Sequence, residues 1–171
     1  MSQLGFLFDQ RYCIGCQGCQ TACQVKNNTP VGISLRHAIS FEDVPQGPFL
    51  TISCNHCETP ACFAACKQGA IEKDSETGIV SINDDKCNGC GDCVTACPYD
   101  APVVDSSSSK ALKCDFCKDR IGSDELPACV RACPVKVLTH GPLEELDKTG
   151  VKEASGFVAD ETKPSVRFVV S

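Results

Sequence analysis

The sequence predicts an α+β fold of short strands and short helices, arranged as two interlocked units around an interior that hydrocarbon alone does not fill. Three observations predict it. Sixteen cysteines stand among 171 residues with no Trp, one Met and 6% aromatic residues, too few large side chains for an ordinary apolar core. Five short β-prone runs bounded by turn residues punctuate the chain, at 5–9, 49–53, 78–82, 137–140 and 166–170. Between them lie four cysteine motifs, each ending in a short helical stretch such as 20–24 or 94–97. The chain is therefore an internal repeat of strand and cysteine loop.

The third motif reads Cys87-x2-Cys90-x2-Cys93-x3-Cys97-Pro98, the spacing of bacterial two-cluster ferredoxins. Three cysteines so spaced wrap one 4Fe-4S cubane, and the fourth, a helical turn onward, points to a neighbouring cluster. Pro98 ends that helix by removing an amide donor. The first motif repeats the spacing as Cys13, Cys16, Cys19 and Cys23, with Gln24 in place of the proline. The second is Cys54, Cys57, Cys62 and Cys66, with a longer third loop and Lys67 following. The fourth is Cys114, Cys117, Cys129 and Cys133, followed by Pro134. All sixteen cysteines are used.

Because each fourth cysteine serves another unit's cluster, the units couple in pairs, and three pairings are open. Only twenty residues join the second and third motifs, containing a strand-turn-strand at 70–83. That suits one ferredoxin-like pair, around which the first and fourth units close. The ligand sets are then Cys13, Cys16, Cys19 with Cys133; Cys114, Cys117, Cys129 with Cys23; Cys54, Cys57, Cys62 with Cys97; and Cys87, Cys90, Cys93 with Cys66. The predicted domain spans 1–142, an inner unit of about 50–103 within an outer unit of 1–49 plus 104–142. A C-terminal helix, at 143–148, and tail to 171 are expected on the surface, as is the serine run at 106–109. Metal would tie distant parts of the chain together, so the apo-protein is expected to be largely unfolded.

Composition excludes other classes. The formal net charge is -6 before any cluster charge is added, which disfavours nucleic acid as a partner. No apolar stretch reaches the length of a membrane-spanning helix. The N-terminus lacks the pattern of a secretory signal, so a reducing compartment and reduced thiols are expected rather than a disulfide framework. Zinc ribbons bring two Cys pairs together across longer gaps than these motifs have. No catalytic triad, phosphate loop or dinucleotide fingerprint is present, and four thiolates per cluster leave no iron open to substrate, so no catalytic residue is expected. His56, inside the second motif, reads as a loop residue or one that tunes a potential without binding iron. His37 and His140 read as ordinary strand or surface histidines. Lys113, Lys118 and Arg120 read as solvated charge, or as donors toward sulfide or a partner.

The motifs resemble those of the iron-sulfur subunits of the dimethyl sulfoxide reductase family of molybdopterin enzymes, over residues 5 to about 148. The resemblance rests on Gly5-Phe6-Leu7-Phe8-Asp9, Ser53-Cys54-Asn55-His56-Cys57 with Pro60-Ala61-Cys62, and Cys97-Pro98-Tyr99-Asp100-Ala101-Pro102. It rests also on Lys113-Cys114-Asp115-Phe116-Cys117 with Asp119-Arg120, and on Gly141-Pro142-Leu143-Glu144-Glu145-Leu146. It implies four 4Fe-4S clusters and the ligand sets above. It implies a large molybdopterin (Mo or W) catalytic subunit as partner, the molybdopterin residing there, and an integral-membrane quinol-oxidising anchor. The first cluster would lie nearest the pterin and the Cys87 cluster toward the anchor. Relatives with a 3Fe-4S centre replace a third-motif cysteine; Cys90 is retained here. A peripheral place on the cytoplasmic membrane is implied, with export beside a twin-arginine-signalled partner or retention in the cytoplasm as the two variants. The expected role is electron relay without catalysis of its own. The alternatives are a formate-dehydrogenase-type subunit with reverse flow, a free polyferredoxin shuttle and a zinc-bound scaffold.

Overall fold

The computed structural model describes residues 2–41 and 48–170. Of the expected outer unit, residues 1 and 42–47 therefore lie outside the described residues. The chain runs β1 (Leu4–Asp9), a 3-10 turn (Gln10–Tyr12), α1 (Gly18–Asn27), β2 (Arg36–Ser40) and β3 (Phe49–Ser53). It continues α2 (Ala61–Ala65), β4 (Ile71–Lys73), β5 (Val80–Ile82), α3 (Asp92–Ala96), β6 (Val103–Asp105) and β7 (Lys110–Leu112). It ends α4 (Lys118–Ile121), α5 (Ala128–Arg131), β8 (Leu138–Pro142), α6 (Leu143–Leu146) and β9 (Val166–Val169). This is the α+β class of short strands and short helices that the sequence predicts.

Most of these helices are single turns, far below the length at which a helix is stable alone. They form where the cysteine loops leave them. Pro60, Pro127 and Pro142 stand immediately before α2, α5 and α6, where a missing amide costs nothing. Cys66 and Cys97 end α2 and α3.

β1 is the centre of the largest sheet, antiparallel to β8 and parallel to β9. Its alternation buries Phe6 and Phe8, which join Leu138, Val166 and Phe168 in the main core. Gly5 is required there, because a Cβ would collide with the Ser165 carbonyl. Three antiparallel hairpins complete the strands: β2–β3, β4–β5 and β6–β7. α1 packs on α5 and β1 on β8, tying the first motif's segment to the fourth's. α2 packs on α3, tying the second to the third.

Eight of the buried apolar residues are cysteines, and the second core holds only Ile71, Val80 and Ala111 beside Cys62 and Cys93. A core so poor in hydrocarbon depends on what its thiols bind.

The tail departs from the surface position expected for 143–171. Leu146, Phe157, Val166 and Phe168 are buried, Phe168 completely, and Phe157 stacks between Tyr99 and Phe168 at 5.2 and 5.0 Å. The polar residues that suggested a surface alternate with these anchors, and the parallel pairing of β9 on β1 has no local signature. The helix there is one turn, Leu143–Leu146. The serine run is exposed, as the tip of the β6–β7 hairpin. Asp105 accepts hydrogen bonds there from the amides and hydroxyls of Ser107 and Ser108, 2.6–3.2 Å long.

Candidate functional site

In the leading Cys-x2-Cys loop of each motif, the residue before the second cysteine has a left-handed backbone. Gly15 has φ 66°, His56 44°, Gly89 70° and Phe116 63°. This turn folds the loop back so that both thiols face one space. Glycine takes the conformation freely, whereas His and Phe adopt it at a cost of the order of 1–3 kcal/mol that surrounding structure must offset. His56 and Phe116 are almost wholly buried, 1% and 0% exposed, and pack edge to face at 5.1 Å. Phe116 also stacks on Phe6 at 4.2 Å. Packing is what holds these two loops in shape.

The sixteen thiols gather in fours. Cys13, Cys16, Cys19 and Cys133 line one cavity. Cys54, Cys57, Cys62 and Cys97 line a second. Cys66, Cys87, Cys90 and Cys93 line a third. Cys23, Cys114, Cys117 and Cys129 form the remaining group, in which Cys114 is influenced by Cys23 and Cys129, and Cys23 by Cys129 and Cys117. In chain order of their leading motif these are the first quartet (Cys13), the second-motif quartet (Cys54), the third-motif quartet (Cys87) and the fourth-motif quartet (Cys114). No disulfide joins any of the sixteen.

Three cavities, each walled by four thiols and otherwise mostly apolar, fit a 4Fe-4S cubane as common occupant. Among the described residues no group of three or more His, Cys, Asp or Glu side chains is placed to hold a single metal ion. Backbone amides are directed at ligand sulfurs: Ala70 to Cys66 at 3.3 Å, Ala111 to Cys87 at 3.4 Å and Phe116 to Cys114 at 3.4 Å. Such donors stabilise sulfur that carries negative charge.

Exposure is graded. All four cysteines of the fourth-motif quartet are buried, and so are Cys54 and Cys62. The first and third-motif quartets each have an exposed member, Cys16 and Cys90. Burial pushes the thiols up: Cys23 to about 11, Cys62 to about 12 and Cys114 well above the ordinary thiol range. Without metal these groups are neutral at pH 7, so iron binding must displace their protons.

Two buried cations lie among the quartets. Lys113 is 6% exposed, and its Nζ donates to the Cys114 carbonyl at 2.8 Å, to the Val80 carbonyl and to Cys54 Sγ at 3.4 Å. Solvated charge is excluded for Lys113 by its burial, and its sulfur partner is the Cys54 thiol. Lys118 is exposed, and Arg120 pairs with Glu125 at 2.7 Å and donates to the Leu126 carbonyl at 2.8 Å. Arg36 was not singled out by sequence reasoning; it is 2% exposed on β2. A weak signal marked it, as the one Lys or Arg between Lys26 and Lys67.

His56 accepts the Val80 amide at Nδ1, 3.0 Å away. Burial, then the nearby Lys113, holds it well below the usual histidine range, so it is neutral. It shapes its loop and does not stand among the thiols lining the adjacent cavity. His37 is exposed on β2 and His140 half-buried on β8.

Thiol quartets of this kind, carried on short loops, define an iron-sulfur protein. The model of a 4Fe-4S dicluster domain matches residues 46–143, and the chain belongs to that family. It is 39% identical to the B subunit of the anaerobic dimethyl sulfoxide reductase of Escherichia coli strain K12, over 86% of this chain and 77% of that subunit. It is 37% identical to YnfG of the same strain, a probable anaerobic dimethyl sulfoxide reductase subunit, over 96% and 87%. It is 41% identical to protein NrfC of that strain over 82% of this chain; the match spans 66% of NrfC, just under two thirds. The resemblance drawn from the motifs thus holds at the level of family: the chain is a 4Fe-4S protein related to the B subunit of the dimethyl sulfoxide reductase.

Proposed function

We propose that the chain relays electrons through four 4Fe-4S clusters between a molybdopterin (Mo or W) catalytic subunit and a quinol-oxidising membrane anchor or soluble donor. The observation that carries this is the graded burial of the four quartets, open to the surface at Cys16 and Cys90 and closed between. The ligand sets are those the sequence implies, each quartet holding one cluster. When bound, the clusters supply one-electron redox chemistry.

The chain's own residues hold, space and insulate these sites. Shared elements support an order along the relay. The first and fourth-motif quartets meet across α1 and α5, which carry Cys19, Cys23 and Cys129. Cys114 of the fourth-motif quartet feels Cys54 of the second-motif quartet. That quartet leads by α2, which carries Cys62 and is followed by Cys66, into the third-motif quartet. Phe6, Phe116 and Val80 exclude water between them. The reductase names of two relatives support a terminal acceptor reduced by the partner. No helix among the described residues is long and apolar enough to cross a membrane; attachment to the cytoplasmic membrane would come through partners, with export beside the catalytic subunit or retention in the cytoplasm.

Iron and acid-labile sulfide content, with redox-titrated EPR, on anaerobically purified protein and its native partners tests the proposal. About sixteen irons and sixteen sulfides per chain, four per cubane, with a co-purifying molybdenum or tungsten subunit, is the expected result. Zinc without sulfide overturns it; four clusters without such a partner leaves a free electron carrier in its place.

A further inference from the structure

Among the described residues, Arg36 is a buried cation without the usual counter-ion. It donates from Nη1 to Thr51 Oγ1 at 3.3 Å and from Nη2 to Ser53 Oγ at 2.9 Å, while Nε has no partner. Its guanidinium lies 4.7 Å from the Phe6 ring centroid. Among the described residues no carboxylate pairs with it. Arg167, equally buried, shows the ordinary solution: it pairs with Asp147 and donates to the carbonyls of Pro164 and Val166 at 3.0 and 2.8 Å. A charge held out of water with only hydroxyls and an aromatic face is costly unless negative charge lies near by another route.

The surroundings of Arg36 supply that route through sulfur. Thr51 Oγ1 is also 3.3 Å from Cys19 Sγ, in the first quartet. Phe6 stacks on Phe116, whose amide is directed at Cys114 Sγ, in the fourth-motif quartet. The thiols that act most on the guanidinium are Cys129, Cys114, Cys19 and Cys23, in that order. They belong to the first and fourth-motif quartets, and none to the third-motif quartet of Cys87.

We infer that Arg36 is a potential-setting residue, a fixed positive charge shared by the first and fourth-motif quartets whose counter-ion is the negative charge of the clusters they hold. This rests on the four-cluster reading above. Reduction adds one electron to a site and no proton or bond need change; a neighbouring cation favours the reduced form. Burial does the opposite, because a low dielectric disfavours added charge. The fourth-motif quartet, with all four thiols buried, would be the hardest step in the relay, and Arg36 offsets that penalty. As a positioning group it touches no substrate.

The test is an EPR-monitored titration, with dithionite as reductant, of the full chain purified anaerobically with its partners, for the wild type, Arg36→Gln and Arg36→Lys. The third-motif signal is identified by its change in Cys90→Ser. In Arg36→Gln two signals move to lower potential by at least tenfold in the one-electron equilibrium, about 59 mV. The third-motif signal stays in place, and Arg36→Lys restores most of the shift. Ser53→Asp, which sets a carboxylate against the guanidinium, moves the same two signals downward and covers poor loading of Arg36→Gln. If neither charge-cancelling variant retains iron in those two quartets while Arg36→Lys does, the charge is required to keep the clusters, and the inference stands through iron content. Unmoved potentials, an equal shift of all four, or Arg36→Lys behaving as Arg36→Gln overturns it. A wild type without four 4Fe-4S clusters defeats the underlying reading before any variant is compared.

Discussion

The fourth-motif and third-motif quartets use the same ligand chemistry in opposite surroundings. Cys23, Cys114, Cys117 and Cys129 are all buried, Cys114 and Cys129 in the main core, where Phe6, Phe116 and Phe168 supply hydrocarbon and two cations stand close. Cys66, Cys87, Cys90 and Cys93 sit by the small second core of Ile71, Val80 and Ala111, with Cys90 exposed. Both loops are short and both turn through a left-handed residue, Phe116 in one and Gly89 in the other. The buried loop needs packing to hold its turn, and the exposed one needs glycine. A repeat of one motif thus yields sites of different polarity because the repeat units are packed differently, and potential follows polarity.

The broadest way to break this comparison is to remove the metal from both. Chelation of iron is expected to abolish cooperative folding of the whole chain, read as loss of near-ultraviolet circular dichroism and rapid proteolysis, because both cores depend on bound thiols. An apo-protein with native protection would show that hydrocarbon suffices and that the two regions differ less than proposed. The next effect separates the regions. Cys129→Ser should lower iron content well beyond one cluster and destabilise the fold, whereas Cys90→Ser should alter one EPR signal and leave the others and the melting profile near wild type. Equal outcomes would mean that burial does not distinguish the two sites.

Phe168→Ala tests whether the tail belongs to the better-packed region. Loss of that fully buried ring should cost about 3–5 kcal/mol, read by anaerobic denaturant unfolding of the loaded chain; a change within ~0.5 kcal/mol would mark the tail as peripheral. The smallest expected effect lies at the exposed end. Hydrogen bonds from Ser108 and Ser107 hold Asp105 down to about 2. A depressed carboxylate stabilises the folded turn above its ordinary value of 3.8 and loses that contribution as pH falls through about 2. Asp105→Asn should therefore speed amide exchange at Ser107 and Ser108 near neutral pH, leaving the thiol-lined cavities unchanged. Unaltered exchange would show that the hairpin tip does not depend on the carboxylate.

Much of the site was legible in advance because metal ligation imposes strict spacing. Cys87, Cys90, Cys93 and Cys97 can be read as one motif from their intervals, whereas the exchange of Cys97 for Cys66 between neighbouring thiol groups is a matter of tertiary structure. The left-handed positions were half legible. Glycine marks them at 15 and 89, but His56 and Phe116 hide the same turn behind residues that rarely adopt it. β2 was missed since Arg36 and His37 open it with polar residues, and β6 and β7 because three-residue strands carry too little pattern. The readings of Lys113 as solvated charge or as a donor stayed open because sequence cannot report that its ammonium reaches Cys54 and the Val80 carbonyl, 59 and 33 positions away.

By itself the sequence determined the ligand chemistry, the number of thiol groups and the α+β class, since cysteine spacing and short β-prone runs are local properties of the chain. Tertiary structure alone decided which thiols are buried, where Arg36 and Lys113 place their charges, and that the tail closes the central sheet beside β1. Those outcomes depend on contacts between residues far apart in the chain, for which local pattern has no term, and the energy of a charge or a thiolate is set by what surrounds it in space.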